Sequence, residues 1–112
     1  MKKIEAMIRP EKIEEVRSSL DGIGVIGMTS YEIRGRGQQK GLEFVHRAGT
    51  YRVDMLPKIK LELIVNDKDV NRIVEAICKA ARTGEIGDGK IFVTPMENVI
   101  RIRTGEEGST AL

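Results

Sequence analysis

Residues 83–91, Thr-Gly-Glu-Ile-Gly-Asp-Gly-Lys-Ile, combine three glycines with a lysine in one short segment. Glycines at this density let backbone N–H groups converge on one point, and a neighbouring lysine adds positive charge, as in phosphate sites. Gly84, Gly89 and Lys90 match most of a nucleotide-binding P-loop, but Ile91 stands where that loop needs a serine or threonine for magnesium. The segment therefore predicts phosphate binding and argues against a standard nucleotide-hydrolysing motor.

A second candidate group is the pair Arg101 and Arg103, which flank Ile102. In an extended segment both guanidinium groups would lie on one face, and paired arginines bind phosphate or carboxylate through two hydrogen bonds each. For an isolated pair, a solvated strand edge is the better interpretation. The glycine-lysine segment that precedes it in sequence favours an anion site here.

Residues 35–41 form a third group with three glycines, Gly35, Gly37 and Gly41. They permit close backbone approach to a ligand, although such glycines often only permit turns. Gln39 can offer a carbonyl oxygen to a hard cation or an amide to a carboxylate. Lys58, at the predicted start of a later strand, can pair with an acid group.

No catalytic group stands out in the sequence. His46 is the sole histidine, so we do not expect a transition-metal site, and Cys78 lies beside the apolar stripe of a predicted helix. We therefore expect a protein that is not an enzyme. The glycine-lysine segment keeps a weak ATPase or other nucleotide-dependent enzyme as the alternative, and a nucleic-acid module would need more aromatic residues on its strands.

Hydrophobic periodicity predicts how these groups are positioned. Alternating apolar residues predict strands, and apolar residues three or four apart predict helices. The predicted elements are a strand at 2–9, a helix from Pro10 to Gly22, strands at 25–33 and 58–65, a helix from Asn66 to Ala81, a strand at 90–95 and a short strand at 99–103. The order predicts an α+β, ferredoxin-like double βαβ fold, in which an antiparallel sheet carries two helices on one face.

The composition predicts a single domain over residues 1–112. One cysteine excludes an intrachain disulfide, which favours the cytoplasm, and no apolar run approaches membrane-spanning length. The net charge of +2 is too small to indicate nucleic-acid binding. We expect a polar, mobile tail over about 105–112, and a partly apolar second sheet face that self-association into a closed ring would bury.

The long segment at about 36–56 shows no clear period, and loops of this length tend to be functional. From Arg34 to Lys60 the chain carries seven basic and two acidic residues, which indicates an anionic ligand or partner, or else a solvated loop. Phe44 and Tyr51 on this loop favour docking into a partner protein, with ordinary packing as the alternative.

Together, these segments resemble the PII nitrogen-regulatory signalling proteins over nearly the whole chain. The resemblance rests on the glycine-lysine block at 83–93, on Arg-Ile-Arg-Thr-Gly-Glu at 101–106, on Gly-Gln-Gln-Lys-Gly at 37–41, and on shorter matches at 2–6 and 27–29. The first two blocks at this separation are highly specific.

The resemblance implies a cytoplasmic homotrimer that binds ATP or ADP in clefts between subunits. The implied nucleotide-binding residues are Thr29, Gly37, Gln38, Gln39, Glu62, Ile64, Gly87, Asp88, Gly89, Lys90, Arg101, Ile102 and Arg103. Gln39 would help to hold Mg²⁺, and Gln39, Lys58 and Gly87 would bind 2-oxoglutarate chelated to that metal. The metal site would then need no serine or threonine at position 91.

The loop at 36–56 would be the family's T-loop, which docks on ammonium transporters or nitrogen-assimilation enzymes. The chain would thus reach a membrane only through a transporter, and nucleic acid is not an expected partner. Arg36 and Gln38 stand where many members have a phenylalanine and an arginine, so phosphate contacts at the loop base would differ or be exchanged. Tyr51 matches a tyrosine that some members have uridylylated, which makes it a possible modification site.

Overall fold

A computed structural model describes residues 1–37, 42–46, 49–53 and 55–112, with the backbone alone for 42–46 and 49–53. Short 3₁₀-helices at Pro10–Lys12 and Asp67–Asp69 lead into the two α-helices, and a third lies at Gly108–Ala111. The strands and helices are Lys2–Ile8 (β1), Ile13–Gly22 (α1), Thr29–Gly35 (β2), Leu42–His46 (β3), Gly49–Val53 (β4), Leu56–Val65 (β5), Val70–Ala81 (α2) and Lys90–Pro95 (β6).

The main sheet confirms the predicted α+β, ferredoxin-like double βαβ fold. Its strand order is β2-β5-β1-β6, and every neighbouring pair is antiparallel. In the register of the two central strands, Ala6 pairs with Leu61, and on the other side of β1 Met7 pairs with Lys90. The ends of β5 and β6 that carry Lys58 and Lys90 therefore lie at the same end of the sheet as the end of β1.

The core lies between this sheet and the two helices, because each element buries one apolar face. The apolar stripes predicted from the sequence supply it, with alternating residues on the strands and residues three or four apart on the helices. Its buried members are Ile4, Ala6, Ile8, Val16, Leu20, Leu61, Leu63, Val65, Ile73, Ile77 and Ala81. The intervening residues of the strands consequently point to the opposite face, which we call the open face.

The long segment at 36–56 contains regular structure that its lack of period did not predict. Strands β3 and β4 form a two-stranded antiparallel sheet of their own, in which Phe44 pairs with Tyr51 and Leu42 with Val53. This sheet is separate from the main one, and a short two-stranded ribbon need not show the alternation that marks a half-buried strand. The enrichment in β-branched and aromatic residues was the available signal.

The predicted short strand at 99–103 is wrong. Ile100 forms only an isolated bridge with Glu107, and Arg101 starts a turn. The backbone N–H of Gly105 donates to the carbonyl oxygen of Arg101 over 2.8 Å, and Gly105 adopts a φ of 75°, which favours glycine. The chain therefore bends where an extended segment was expected. The following residues contain the 3₁₀-helix at Gly108–Ala111.

The open face is a mixture of charged and aromatic side chains. Lys60 lies 3.2 Å from the carboxylate of Glu62 and 3.7 Å from that of Glu5, and its ammonium lies 4.7 Å from the centre of the Tyr31 ring. Phe92 on β6 leaves 47 % of its surface exposed. The second face is thus partly apolar, as expected, at Tyr31 and Phe92 around a charged centre. Of the two residues on which that expectation rested, Ile64 lies on this face in β5, whereas Ile102 lies in a turn outside the strands.

Candidate functional site

The glycine-lysine segment follows the end of α2 and leads into β6, and Asp88 fixes its shape. The carboxylate of Asp88 accepts hydrogen bonds from the backbone N–H groups of Thr83 and Gly84, each over 2.9 Å. The hydroxyl of Thr83 donates a third bond over 2.5 Å. These bonds fold the loop back on itself, so that Asp88 has an internal structural role. Its predicted contact with a nucleotide stays a prediction.

Arg9, just after β1, attaches this loop to the sheet. Its Nε donates to Oδ1 of Asp88 over 3.0 Å, and its Nη2 donates to the carbonyl oxygen of Ile86 over 2.8 Å. Hydrogen bonds from Thr83, from the loop backbone and from Arg9 hold the pKa of the Asp88 carboxyl well below its usual range. The carboxylate is therefore charged at neutral pH, as a clamp of N–H and guanidinium donors requires.

Gly89 sets how closely the loop approaches β1. Its φ is +101°, and a Cβ built there would lie 1.7 Å from the backbone carbonyl oxygen of Met7. No other residue fits in that space without moving the backbone. Gly89 thus permits β6 to begin its pairing with β1 at Lys90, which is why a glycine immediately precedes the lysine.

Lys58 reaches the same loop from β5. Its Nζ donates to the carbonyl oxygen of Gly87 over 2.5 Å. Burial lowers the pKa of the Lys58 ammonium, and the positive charge of Arg9 lowers it further, although Glu11 and Asp88 act in the opposite direction. The structure therefore brings together Lys58 and Gly87, the two described residues that the family resemblance assigned to 2-oxoglutarate. That assignment stays a prediction.

These residues surround an open cavity of about 740 Å³ at the end of the sheet. Its lining combines apolar side chains, backbone at four glycines and three cationic side chains. The described lining residues are Met7, Ile33, Gly35, Arg36, Gly37, Lys58, Gly87, Gly89, Lys90 and Phe92. Within this described lining there is no carboxylate, so the cavity is suited to an anion with an apolar portion.

The cavity lies where the loop at 36–56 leaves the main sheet. Gly35, the last residue of β2, pairs with Leu56, the first residue of β5, and Arg36 and Gly37 follow directly. An occupant of the cavity would therefore contact the backbone from which that loop departs.

Three predicted nucleotide-binding residues lie farther along the open face, outside the described lining of this cavity. Thr29 of β2 pairs with Glu62 of β5, and Ile64 follows two positions later on the same face. The Glu62 carboxylate is paired with Lys60, as described above, so a ligand at this position would meet an existing ion pair. Their assignment to the nucleotide stays a prediction.

Arg101, Ile102 and Arg103 do not line the cavity within one chain. Arg101 lies 3.1 Å from the carboxylate of Glu106 and donates to the carbonyl oxygen of Leu112 over 3.2 Å, and Ile102 is 98 % exposed. The turn at Gly105 explains why the two arginines do not share one strand face. Their predicted phosphate contacts would need a second subunit.

Several predicted residues cannot be placed by their side chains. Gln38 and Gln39 lie outside the described residues, and so does the side chain of Tyr51. Their predicted roles in nucleotide, metal and 2-oxoglutarate binding, and in modification, stay predictions. In the described parts of the chain, no three histidine, cysteine, aspartate or glutamate side chains cluster as a metal site would need, and no helix is long and apolar enough to cross a membrane.

Sequence reasoning missed Arg9. Its contacts to Ile86 and Asp88 span 77 and 79 positions, and nothing in its local sequence marks it. The available signal was its place after β1, since the ends of strands that neighbour one another in a sheet meet in space. Arg9 could only be assigned once the strand order was known.

Comparison with known proteins gives the family to which this chain belongs. The family model described as "Nitrogen regulatory protein P-II" matches residues 1–106. The chain is 56 % identical to the nitrogen regulatory protein P-II of Haemophilus influenzae over 112 residues, all of both chains. It is 54 % identical to nitrogen regulatory protein P-II 2 of Methanothermobacter thermautotrophicus, covering 100 % of this chain and 97 % of that protein. The chain therefore belongs to the P-II family of nitrogen regulatory proteins.

Proposed function

We propose that this nitrogen regulator binds ATP or ADP and, together with Mg²⁺, 2-oxoglutarate, and that occupancy of the site controls how the loop at 36–56 contacts target proteins. The observation that carries the proposal is the cavity at the base of that loop. It combines the glycine loop, Lys58 and Lys90 with apolar walls and no carboxylate in its described lining.

The phosphate portion of the ligand fits the glycine loop. Gly87 and Gly89 have positive φ angles and expose backbone to the cavity, and Lys90 supplies a charge beside them. Backbone in such conformations forms concave anion sites, and apolar walls strengthen the field of the lysine. The internal clamp of Asp88 holds this backbone in place before the ligand arrives.

Lys58 is suited to bind a carboxylate of 2-oxoglutarate. The Lys58 ammonium donates to the carbonyl oxygen of Gly87, and a carboxylate is a stronger acceptor than that neutral group. Mg²⁺ prefers oxygen ligands and commonly binds through substrate phosphates. Because the described lining offers only cations and neutral groups, the metal would enter on the phosphates, with Gln39 as its protein ligand.

A homotrimer would complete the site. Within one chain, Arg101 and Arg103 lie away from the cavity, and several large apolar side chains are exposed, including Ile86 at 77 % and Ile102 at 98 %. Exposed apolar surface of this kind is commonly covered by association with another subunit. Light scattering after gel filtration tests the assembly directly, and a mass three times that of the 12.5 kDa chain is expected.

Coupling to targets follows from the position of the cavity. A ligand shifts a conformational equilibrium only by its difference in affinity for the two states. An occupant that contacts Arg36, Gly37 and Lys58 would favour one arrangement of the loop base. Ammonium transporters and nitrogen-assimilation enzymes are the proposed targets, and the regulator would act in the cytoplasm without catalysis.

Titration calorimetry with ATP tests the nucleotide site. We expect saturable binding by the wild type and a loss of about tenfold or more in affinity for Lys90→Ala, because a charged contact to phosphate is removed. Lys79→Ala is the matched control, since Lys79 lies on α2 and not in the cavity lining. Unchanged ATP affinity in Lys90→Ala would contradict the assignment, and rapid ATP turnover lost in this variant would favour the enzyme.

A further inference from the structure

Arg36 lies beyond the last ladder pair of β2, and this changes which face it can reach. Along β2, Ile33 pairs with Lys58 on the open face, and Arg34 pairs with Pro57 on the opposite face. Strict alternation would place Arg36 on the same side as Arg34. However, pairing ends at Gly35, so alternation no longer applies, and Arg36 lines the cavity on the open face.

Arg34, two positions earlier, has a different environment. It lines a separate cavity with Pro10, Glu32 and Pro57, where a carboxylate is among the neighbours. It is absent from the described lining of the cavity that contains Arg36. These two arginines are both exposed, and they face different cavities.

Arg36 adds a third cation to a cavity that already contains Lys58 and Lys90. Among the described side chains, neither Arg36 nor Lys90 forms an ion pair, whereas Lys60 on the same sheet face is paired with both Glu5 and Glu62. Like charges at one cavity repel one another unless an anion lies between them. Walls formed by Met7, Ile33 and Phe92 would reduce the screening of these charges by water.

Resting on the proposed nucleotide site, we propose that Arg36 binds the phosphate end of the nucleotide, opposite the glycine loop. A guanidinium group presents a planar set of donors that matches two phosphate oxygens, which an ammonium cannot do. Lys90 and the glycine backbone hold the phosphates from β6, and Arg36 holds them from the end of β2. The nucleotide thereby joins the loop base to the sheet through the side chain of Arg36.

Titration calorimetry with ATP at several salt concentrations tests this assignment in the intact protein. We expect Arg36→Ala to weaken ATP binding by about 10- to 100-fold, the loss typical of a charge-assisted hydrogen bond. We expect Arg36→Lys to bind with intermediate affinity, because it keeps the charge and loses the two-oxygen geometry. We also expect the affinity of Arg36→Ala to fall less steeply with salt than that of the wild type.

Arg34→Ala is the matched control and should bind ATP within about twofold of the wild type, since one equivalent exposed charge is removed outside the cavity. Unfolding curves and the assembly mass should be unchanged in all three variants. If Arg36→Ala binds like the wild type while Lys90→Ala does not, the role of Arg36 is overturned and the nucleotide site stands. If the wild type binds no ATP, both proposals fail.

Discussion

The Nζ of Lys58 donates a hydrogen bond of 2.5 Å to the carbonyl oxygen of Gly87, which links the start of β5 to the glycine loop. In this bond, the positively charged ammonium of Lys58 donates to a neutral carbonyl oxygen. An anionic ligand would therefore find Lys58 already positioned at the loop, and would replace or share a weaker acceptor.

We expect Lys58→Met to lose most of its affinity for 2-oxoglutarate, by about 10- to 100-fold, because a charge-assisted bond to a carboxylate is removed. Calorimetry in the presence of ATP and Mg²⁺ measures the loss. Lys79→Met is the control, since Lys79 lies on α2 and outside the described lining of the cavity. Equal affinity in the two variants would show that Lys58 has no specific role.

The clamp formed by Asp88 and Arg9 predicts a pH-dependent stability. The pKa of the Asp88 carboxyl is lowered in the folded state, chiefly by hydrogen bonds from Thr83 and the loop backbone. Below the ordinary pKa of about 4, the unfolded chain therefore binds more protons than the folded one, so this contribution is present above that pH and is lost as pH falls further.

We expect Asp88→Asn to lower the free energy of unfolding at pH 7 by about 2 kcal/mol, the scale of a hydrogen bond to a charged group. The difference from the wild type should shrink as pH falls below about 4. Denaturant unfolding at several pH values measures it. Asp69→Asn is the control, because the exposed pair with Arg72 should contribute less than about 1 kcal/mol. A difference that stays constant with pH would contradict the clamp.

Substitution by alanine should lower the free energy of unfolding by different amounts at Gly84 and Gly89. Gly84 has a φ of +90° with nothing within 4 Å of a built Cβ, whereas Gly89 has a φ of +101° and the carbonyl oxygen of Met7 at 1.7 Å. We expect Gly84→Ala to cost about 1–2 kcal/mol from backbone strain alone. We expect Gly89→Ala to cost about 3 kcal/mol or more, because β1 and β6 must also separate.

Unfolding curves of the two variants give these costs, and ATP titration shows their consequence. Gly89→Ala should lose nucleotide affinity through displacement of the loop next to Lys90. Equal stability of both variants would mean that the close approach to Met7 is not needed for the fold.

The sequence was sufficient for the two helices and for β1 and β5, because their apolar periodicity is imposed by burial. The strand predicted at 25–33 lies instead at Thr29–Gly35, where no residue is buried. Ile4, Ala6 and Ile8 alternate on β1, and all three are buried. The hairpin of β3 and β4 forms a sheet separate from the main one, and no clear period in residues 36–56 indicated it. The turn at Gly105 depends on one backbone conformation, which the pattern of residues 99–103 did not indicate.

Local sequence indicated which residue types could form the candidate site, but not how those residues contact one another. The glycine loop and Lys58 could be proposed as site residues from their residue types and local spacing. The structural role of Asp88 could not be predicted in this way, since it depends partly on Arg9, a partner 79 positions away. The cavity face reached by Arg36 likewise depends on where the pairing of β2 ends.

The coupling between nucleotide and 2-oxoglutarate is the central claim, and one titration tests it most directly. Purified protein is titrated with 2-oxoglutarate in three states, namely alone, with ATP, and with ATP and Mg²⁺. We predict binding at least about tenfold tighter in the third state, which corresponds to roughly 1.4 kcal/mol of coupling. Equal 2-oxoglutarate affinity in all three states would contradict the account.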